Sequence, residues 1–217
     1  LTKIATEIWR AGTGRDDPHL AAALETTPAS ASAPDAALET RSGLESGPDP
    51  AATDAATANA AHAATAATAS GALDRLRDLL ERTTDPRATA AELIARVEQF
   101  AEESRVIIPA ASDALARGDV AAFGELVDRS QHLAETQLGN QIEETIHLAR
   151  AARELGAAAA SAFGAGFGGS VWALVEESIA PEFIVRWRTR FLERFPEHAP
   201  RFLAFATRPG PATVRIA

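Results

Sequence analysis

Residues 157–175 read AAAASAFGAGFGGSVWALV, and on them the fold turns. Ala157–Phe163 and Ser170–Val175 are short, apolar and strand-like, and between them lies Gly164-Ala165-Gly166-Phe167-Gly168-Gly169. Two glycines suffice to turn a hairpin, so four in six positions ask for another explanation. Each absent Cβ lets backbone come close to something or take a positive φ. Successive N–H groups in such a loop can converge on an anion, phosphate above all, although Gly-rich loops also serve as plain linkers. The loop feeds a strand and not a helix, so it is no dinucleotide fingerprint. No Lys-Ser or Lys-Thr follows it, which excludes a Walker loop.

Downstream, Pro181 suits the first turn of a helix with Phe183, Ile184, Trp187 and Phe191 facing inward. Phe202–Ala206 predicts a last strand before Pro209-Gly210-Pro211. Upstream, Asn140 is placed to cap a helix carrying Ile142, Ile146, Ala149, Ala152 and Leu155, with Gly156 as its stop. Asp119 is the N-cap expected for a helix bearing Val120, Phe123, Leu126, Val127 and Leu133. Thr89 and Glu92 have capping-box spacing ahead of Leu93, Ile94, Val97, Phe100 and Ala101, and Pro109 should break or kink that helix. Leu73, Leu76, Leu79 and Leu80 mark a shorter amphipathic helix. Residues 1–24 are expected to be helical around a Gly12–Gly14 break. This order of elements predicts an α+β fold, with helices packed on one face of a small antiparallel sheet.

Between these regions, residues 25–70 are mostly Ala, Thr, Ser and Pro and contain no aromatic. Such a composition cannot offset its ordering entropy by burial, so a disordered insertion over 25–72 is expected. The 217-residue chain carries a formal charge of −9, which argues against a nucleic-acid surface. Absence of Cys excludes disulfide scaffolds, thiolate metal sites and cysteine nucleophiles. No apolar run approaches a membrane span and no signal-peptide pattern opens the chain, so a cytoplasmic protein with no membrane partner is the expectation. Met is absent and Leu1 opens within a helical pattern. The expectation is therefore the C-terminal part of something longer.

Ser161–Val175 resembles the third conserved motif of the GHMP small-molecule kinases, in its galactokinase form. Phe100–Ser104, Ala114–Asp119, Phe123–Gln131 and the tail Phe205–Ala212 are also similar to galactokinase segments. The resemblance divides the chain into 1–24, the helical end of a missing N-terminal domain, the insertion 25–72, and a GHMP kinase C-terminal domain at 73–217. It implies an ATP-dependent kinase converting galactose and ATP to galactose 1-phosphate and ADP, with Mg²⁺ on the phosphates. Gly164, Ala165, Gly166, Phe167, Gly168, Gly169 and Ser170 would then border the transferred phosphoryl group. No catalytic residue or metal ligand is assigned. The sugar signature, ATP phosphate loop and catalytic Asp–Arg pair of galactokinases are not found, so the fragment alone is expected to be inactive. Its implied partners are a sugar, ATP and the missing N-terminal half. The alternatives are a stand-alone, non-enzymatic binding or interaction domain derived from such a kinase, and a GHMP kinase for another small alcohol. Position 170 is Ser where many relatives have Cys, and Gln131 stands where His is common.

Other residues carry weaker suggestions. Glu144 and His147 have the spacing of a carboxylate-bridged metal motif, and His132 with Glu135 repeats it in reverse; solvated helix faces explain both. Asp128, Arg129, Glu102 and Glu103 suit ordinary helix surfaces. Trp172 and Trp187 are expected in the core. His19, His62 and His198 sit in polar sequence without evident partners. Arg186, Arg188, Arg190 and Arg194 form a short basic run expected to face solvent.

Overall fold

The computed structural model describes residues 1–24, 71–208 and 210, so the expected disorder of 25–70 lies outside the described residues. Gly71 and Ala72, assigned above to that insertion, are helical, and Ala72 is buried. The chain divides into two compact units, Leu1–Ala101 and Glu102–Ala217.

The first unit contains α1 (Thr2–Thr13), α2 (Leu20–Leu24), α3 (71–82) and α4 (Ala90–Glu102, which ends at the unit boundary). Ile8 and Trp9 from α1, Leu24 from α2, Leu76 and Leu80 from α3, and Leu93 and Val97 from α4 share one core. The sequence grouped residues from 73 onward with the glycine loop; instead α3 and α4 bury their leucines with α1 and α2. Burying each such side chain contributes about 1.5–3 kcal/mol. Gly12 is no break. It lies inside α1, where a Cβ would come within 2.6 Å of Leu79 Cδ2, and Gly14 ends the helix at φ 69°. The expected capping box forms: Thr89 N–H donates to Glu92 Oε2 (2.8 Å) and Glu92 N–H to Thr89 Oγ1 (3.2 Å). These bonds hold the Glu92 carboxyl below its ordinary pKa, the backbone bond contributing most.

The second unit opens with a π-helical turn, Glu103–Ile107, followed directly by α5 (Ile108–Ala116). Pro109 lacks the N–H that would reach the carbonyl of Arg105, and its ring would crowd that carbonyl. The chain accommodates it by widening the turn, with Ile108 N–H bonding five residues back to Glu103 O, so the helix is neither broken nor ended there. Asp119 caps α6 (Val120–Leu133) as expected, accepting from Ala122 N–H at 3.0 Å. A second π turn, Ala134–Leu138, ends at Gly139 with φ 63°. Then come α7 (Glu143–Glu154), β1 (Ala159–Phe163), β2 (Ser170–Leu174), a 3-10 turn at Glu177–Ile179, α8 (Ala180–Arg194) and a 3-10 turn at Pro196–His198.

β1 and β2 form an antiparallel hairpin that pairs Ala159 with Leu174 and Phe163 with Ser170. The fold class is thus α+β as expected, mostly helical with a small antiparallel sheet. One face presents Ala160, Val171 and Ala173 to Ala151 and Ala152 of α7 and to Phe183 and Trp187 of α8. Trp187 is buried and donates its indole N–H to Leu148 O at 2.9 Å. Trp172 differs from its expected core position. Strand alternation points it to the opposite face, where it is half-buried. The last strand expected at Phe202–Ala206 does not form: the sheet among the described residues has two strands. Phe202 packs its ring 5.1 Å from Phe191, while Leu203 and Phe205 are exposed. An alternating apolar pattern makes a strand only where a pairing partner exists.

Candidate functional site

The hairpin connection, Gly164–Gly169, sets the geometry of the candidate site. Gly164, Gly166, Gly168 and Gly169 take φ of 93°, 84°, 122° and 100°. At these values a side chain would be strained, which accounts for the glycine at each position. Phe167 has φ 59° despite its side chain, the one non-glycine with positive φ among the described residues. A bulky residue there stores strain, a feature concentrated at functional positions. The residue is 74% exposed.

The loop has a supported side and an open side. At Gly166 a Cβ would fall 2.3 Å from Asn140 O, and at Gly168 it would be 3.5 Å from Ile142 Cδ1. At Gly164 and Gly169 it would meet nothing within 4 Å. The backbone therefore rests on the segment that precedes α7 and leaves its other side clear. Phe167 N–H donates to Asn140 O at 2.5 Å, and Asn140 Nδ2 donates to Ala165 O at 3.2 Å. One loop amide is thus committed to the protein and cannot also point at an anion. Among the described residues, the amides of Gly166, Gly168 and Gly169 meet no backbone acceptor outside the strand ladder.

The supporting residues were not legible as such. Asn140 was expected to cap α7; instead the helix starts at Glu143, with Thr145 Oγ1 accepting from Ile142 N–H at 3.3 Å. Gln131, 6% exposed, uses one carbonyl oxygen to accept from Ala162 N–H and from Ser161 Oγ, both at 2.9 Å. Its amide group donates to Glu135 Oε1 at 3.0 Å, and Arg150 holds the other Glu135 oxygen at 2.7 Å. Gln131 therefore fixes the strand that leads into the loop. A sequence signal existed for Asn140: a Gly-Asn pair after an amphipathic helix marks a turn, and an Asn in a turn bonds backbone.

Asp128, Gln131, His132, Glu135, Arg150, Arg153 and Glu154 line a shallow cleft of about 340 Å³ between α6 and α7. Its charges are matched internally, by Arg153 with Asp128 (2.8 Å) and Arg150 with Glu135 (2.7 Å). Arg129 likewise pairs with Glu102 at 2.6 Å. The basic run of α8 faces solvent as expected, and two of its members also form surface ion pairs with α7. Arg190 and Arg194 reach across to Glu154 and Glu143 of α7. His198 is not without partners either, since it lies 3.3 Å from Glu144 and packs beside Phe191 and Phe195. His147 sits against Phe195 and within 3.3 Å of Arg190 O. His19 Nδ1 accepts from Ala22 N–H at 3.2 Å, and His62 lies outside the described residues. Among the described residues no group of three or more His, Asp or Glu is placed to hold a metal ion. No helix among them is long and apolar enough to cross a membrane.

Comparison with known proteins bears on the same segment. Residues 111–193 match the family model described as GHMP kinases C terminal, and the glycine loop lies inside that span. The crystal structure of Lactococcus lactis galactokinase complexed with galactose is similar at 26% identity, with a TM-score of 0.48. The likeness covers 57% of this chain and 30% of that one, so the chain spans less than a third of that galactokinase. No curated protein matches the chain.

Proposed function

We propose that this chain carries the C-terminal domain of a GHMP kinase and works in an ATP-dependent sugar kinase that converts galactose and ATP to galactose 1-phosphate and ADP. The supporting observation is a glycine loop inside the matched segment, held on one side and open on the other. ATP supplies the phosphoryl group. The sugar hydroxyl oxygen bonds to the γ-phosphorus as the bond to the ADP oxygen breaks, and the hydroxyl proton is released to water, so the products are sugar phosphate, ADP and H⁺. Charge spreads over the transferred oxygens in that transition state, so fixed dipoles and positioning carry the catalysis. The chain's own contribution is the backbone amides of Gly166, Gly168 and Gly169, which among the described residues meet no backbone acceptor outside the strand ladder, and four glycine positions without a Cβ that let phosphate approach. The choice of galactose rests on the galactokinase-like sequence at 100–131 and 161–175. No step is assigned to Mg²⁺ within these residues.

The test is ADP release by the full gene product with Mg²⁺, ATP and galactose, beside its Gly168→Val variant. Gly168 has φ 122° and faces Ile142, so a β-branched residue there must distort the loop. Turnover should fall about 100-fold, the scale of losing one preorganised donor. Unchanged turnover in the variant removes the loop from the reaction. Binding of galactose or ATP with no turnover in the wild type establishes the non-enzymatic alternative, and turnover on a different alcohol replaces the substrate.

A further inference from the structure

The loop's conformation strains Phe167, and its support comes mainly from one residue. We infer that Asn140 is a positioning residue for the glycine loop, an inference that rests on the phosphoryl-transfer reading for its functional half. Asn140 holds the loop from both sides of Gly166. Its carbonyl oxygen accepts from Phe167 N–H at 2.5 Å, and its side-chain amide donates to Ala165 O at 3.2 Å. Gly166 lies so close between these bonds that a Cβ would overlap Asn140 O, Nδ2 and Cγ, all within 2.6 Å. The clamp thus acts on the residue immediately before the strained Phe167, whose φ of 59° persists only if its surroundings hold it.

Asn140 is itself held. Gln141 Nε2 donates to Asn140 Oδ1 at 2.9 Å, which fixes the amide orientation so that Nδ2 faces the loop. Thr145 Oγ1 in turn donates to Gln141 Oε1 at 3.0 Å, linking the clamp to the first turn of α7. Upstream, the π turn Ala134–Leu138 closes with Gly139 N–H bonded five residues back to Ala134 O, and Gly139 turns the chain so that Asn140 meets the loop. Two features without an evident purpose in the sequence, a widened helical turn and a Gly-Asn pair, therefore converge on one contact. Preorganised amides are worth more to a transition state than mobile ones, because they need no reorganisation as charge develops. Asn140 touches neither substrate nor reacting atoms in this scheme; it acts through the loop.

The test compares wild type with Asn140→Ala and Asn140→Asp. The Asp variant keeps the side-chain shape but sets a carboxylate oxygen, an acceptor only, against Ala165 O in place of the donor. Amide hydrogen exchange on the 217-residue chain, without ligand, should show Phe167 exchanging about fivefold faster in both variants, the scale of one net hydrogen bond. Ala162, held by Gln131 and not by Asn140, should be unchanged. In the full gene product, kcat per folded molecule, with the folded fraction counted by circular dichroism, should fall at least about tenfold while KM for ATP and sugar stays within about twofold, which assigns the loss to the transition state and not to ground-state binding. Unaltered Phe167 exchange in both variants overturns the clamp, whatever the activity. Faster exchange with unchanged kcat overturns the positioning role. A wild type that phosphorylates no sugar overturns the kinase reading and this role with it, while the exchange result still decides the clamp.

Discussion

Gly124 sits in the middle of α6, where replacement by Ala would ordinarily strengthen a helix by about 1 kcal/mol. The structure predicts the opposite. A Cβ at Gly124 would lie 2.1 Å from Ala158 O and 3.4 Å from Arg153 Nη1. Even the short C···O contacts seen between packed elements are about 3.3 Å, so α6 must move from the start of β1 by about 1 Å or more. The obstacle is a backbone carbonyl and not the end of a side chain, so no rotamer change relieves it. Overpacking of this kind costs about 3 kcal/mol or more. The same displacement pulls Gln131, two turns along α6, off Ala162 and Ser161, adding about 1 kcal/mol for each bond lost. Set against the propensity gain, the net loss is about 2–4 kcal/mol. At about 4 °C per kcal/mol for a unit of this size, Gly124→Ala should lower the melting temperature by about 8–16 °C. Circular dichroism and urea melts of wild type, Gly124→Ala and Gly12→Ala would measure it. Gly12 faces the flexible end of Leu79, so its Ala variant should lose clearly less. A melting temperature for Gly124→Ala equal to or above wild type would refute the reasoning and show that propensity governs α6.

Gln131→Leu should cost about 1 kcal/mol, because it takes the acceptor from the half-buried Ala162 N–H; chemical denaturation would show it, and Ala162 would exchange faster. Acid stability offers a further check. Asp85 is held down to about 2, first by its side-chain bond with Arg87, and Asp17 is lowered chiefly by Arg15. Together with Glu92 these carboxylates have depressed folded pKa values, so their stabilisation is present above about pH 4 and is lost as pH falls toward about 2. Glu92→Gln should therefore flatten the decline of melting temperature between pH 5 and 2; an unchanged slope would show that the capping carboxylate does not contribute.

Much of the helical framework was legible because its signals are local. Thr89 with Glu92, Asp119, and Gly156 at φ 98° are short-range solutions to unsatisfied backbone groups, and each stands where its spacing predicted. The glycine loop and its two strands were legible for the same reason. What escaped depends on distant partners. Gly12 looks like a break until Leu79 is seen to occupy the space of its missing side chain. Asn140 has the composition of a helix cap, and only the hairpin returning from 25 residues later makes it a clamp. The π turns leave the apolar period almost intact. His198 looked isolated because Phe191, Phe195 and Glu144 approach it from other elements.

The outer side of β1 is closed by side chains. Gln131 takes the Ala162 N–H, Arg153 Nη1 donates to Ala157 O and Ala158 O, and Gly124 lets α6 press against the same carbonyl. Those groups are what an incoming extended segment would need for pairing, and an unprotected strand margin invites such pairing between molecules. The hairpin is therefore shielded from aggregation by strand addition along β1. Among the described residues, an extended segment finds these groups of β1 already taken, and β2 is the margin that carries no such side-chain bonds.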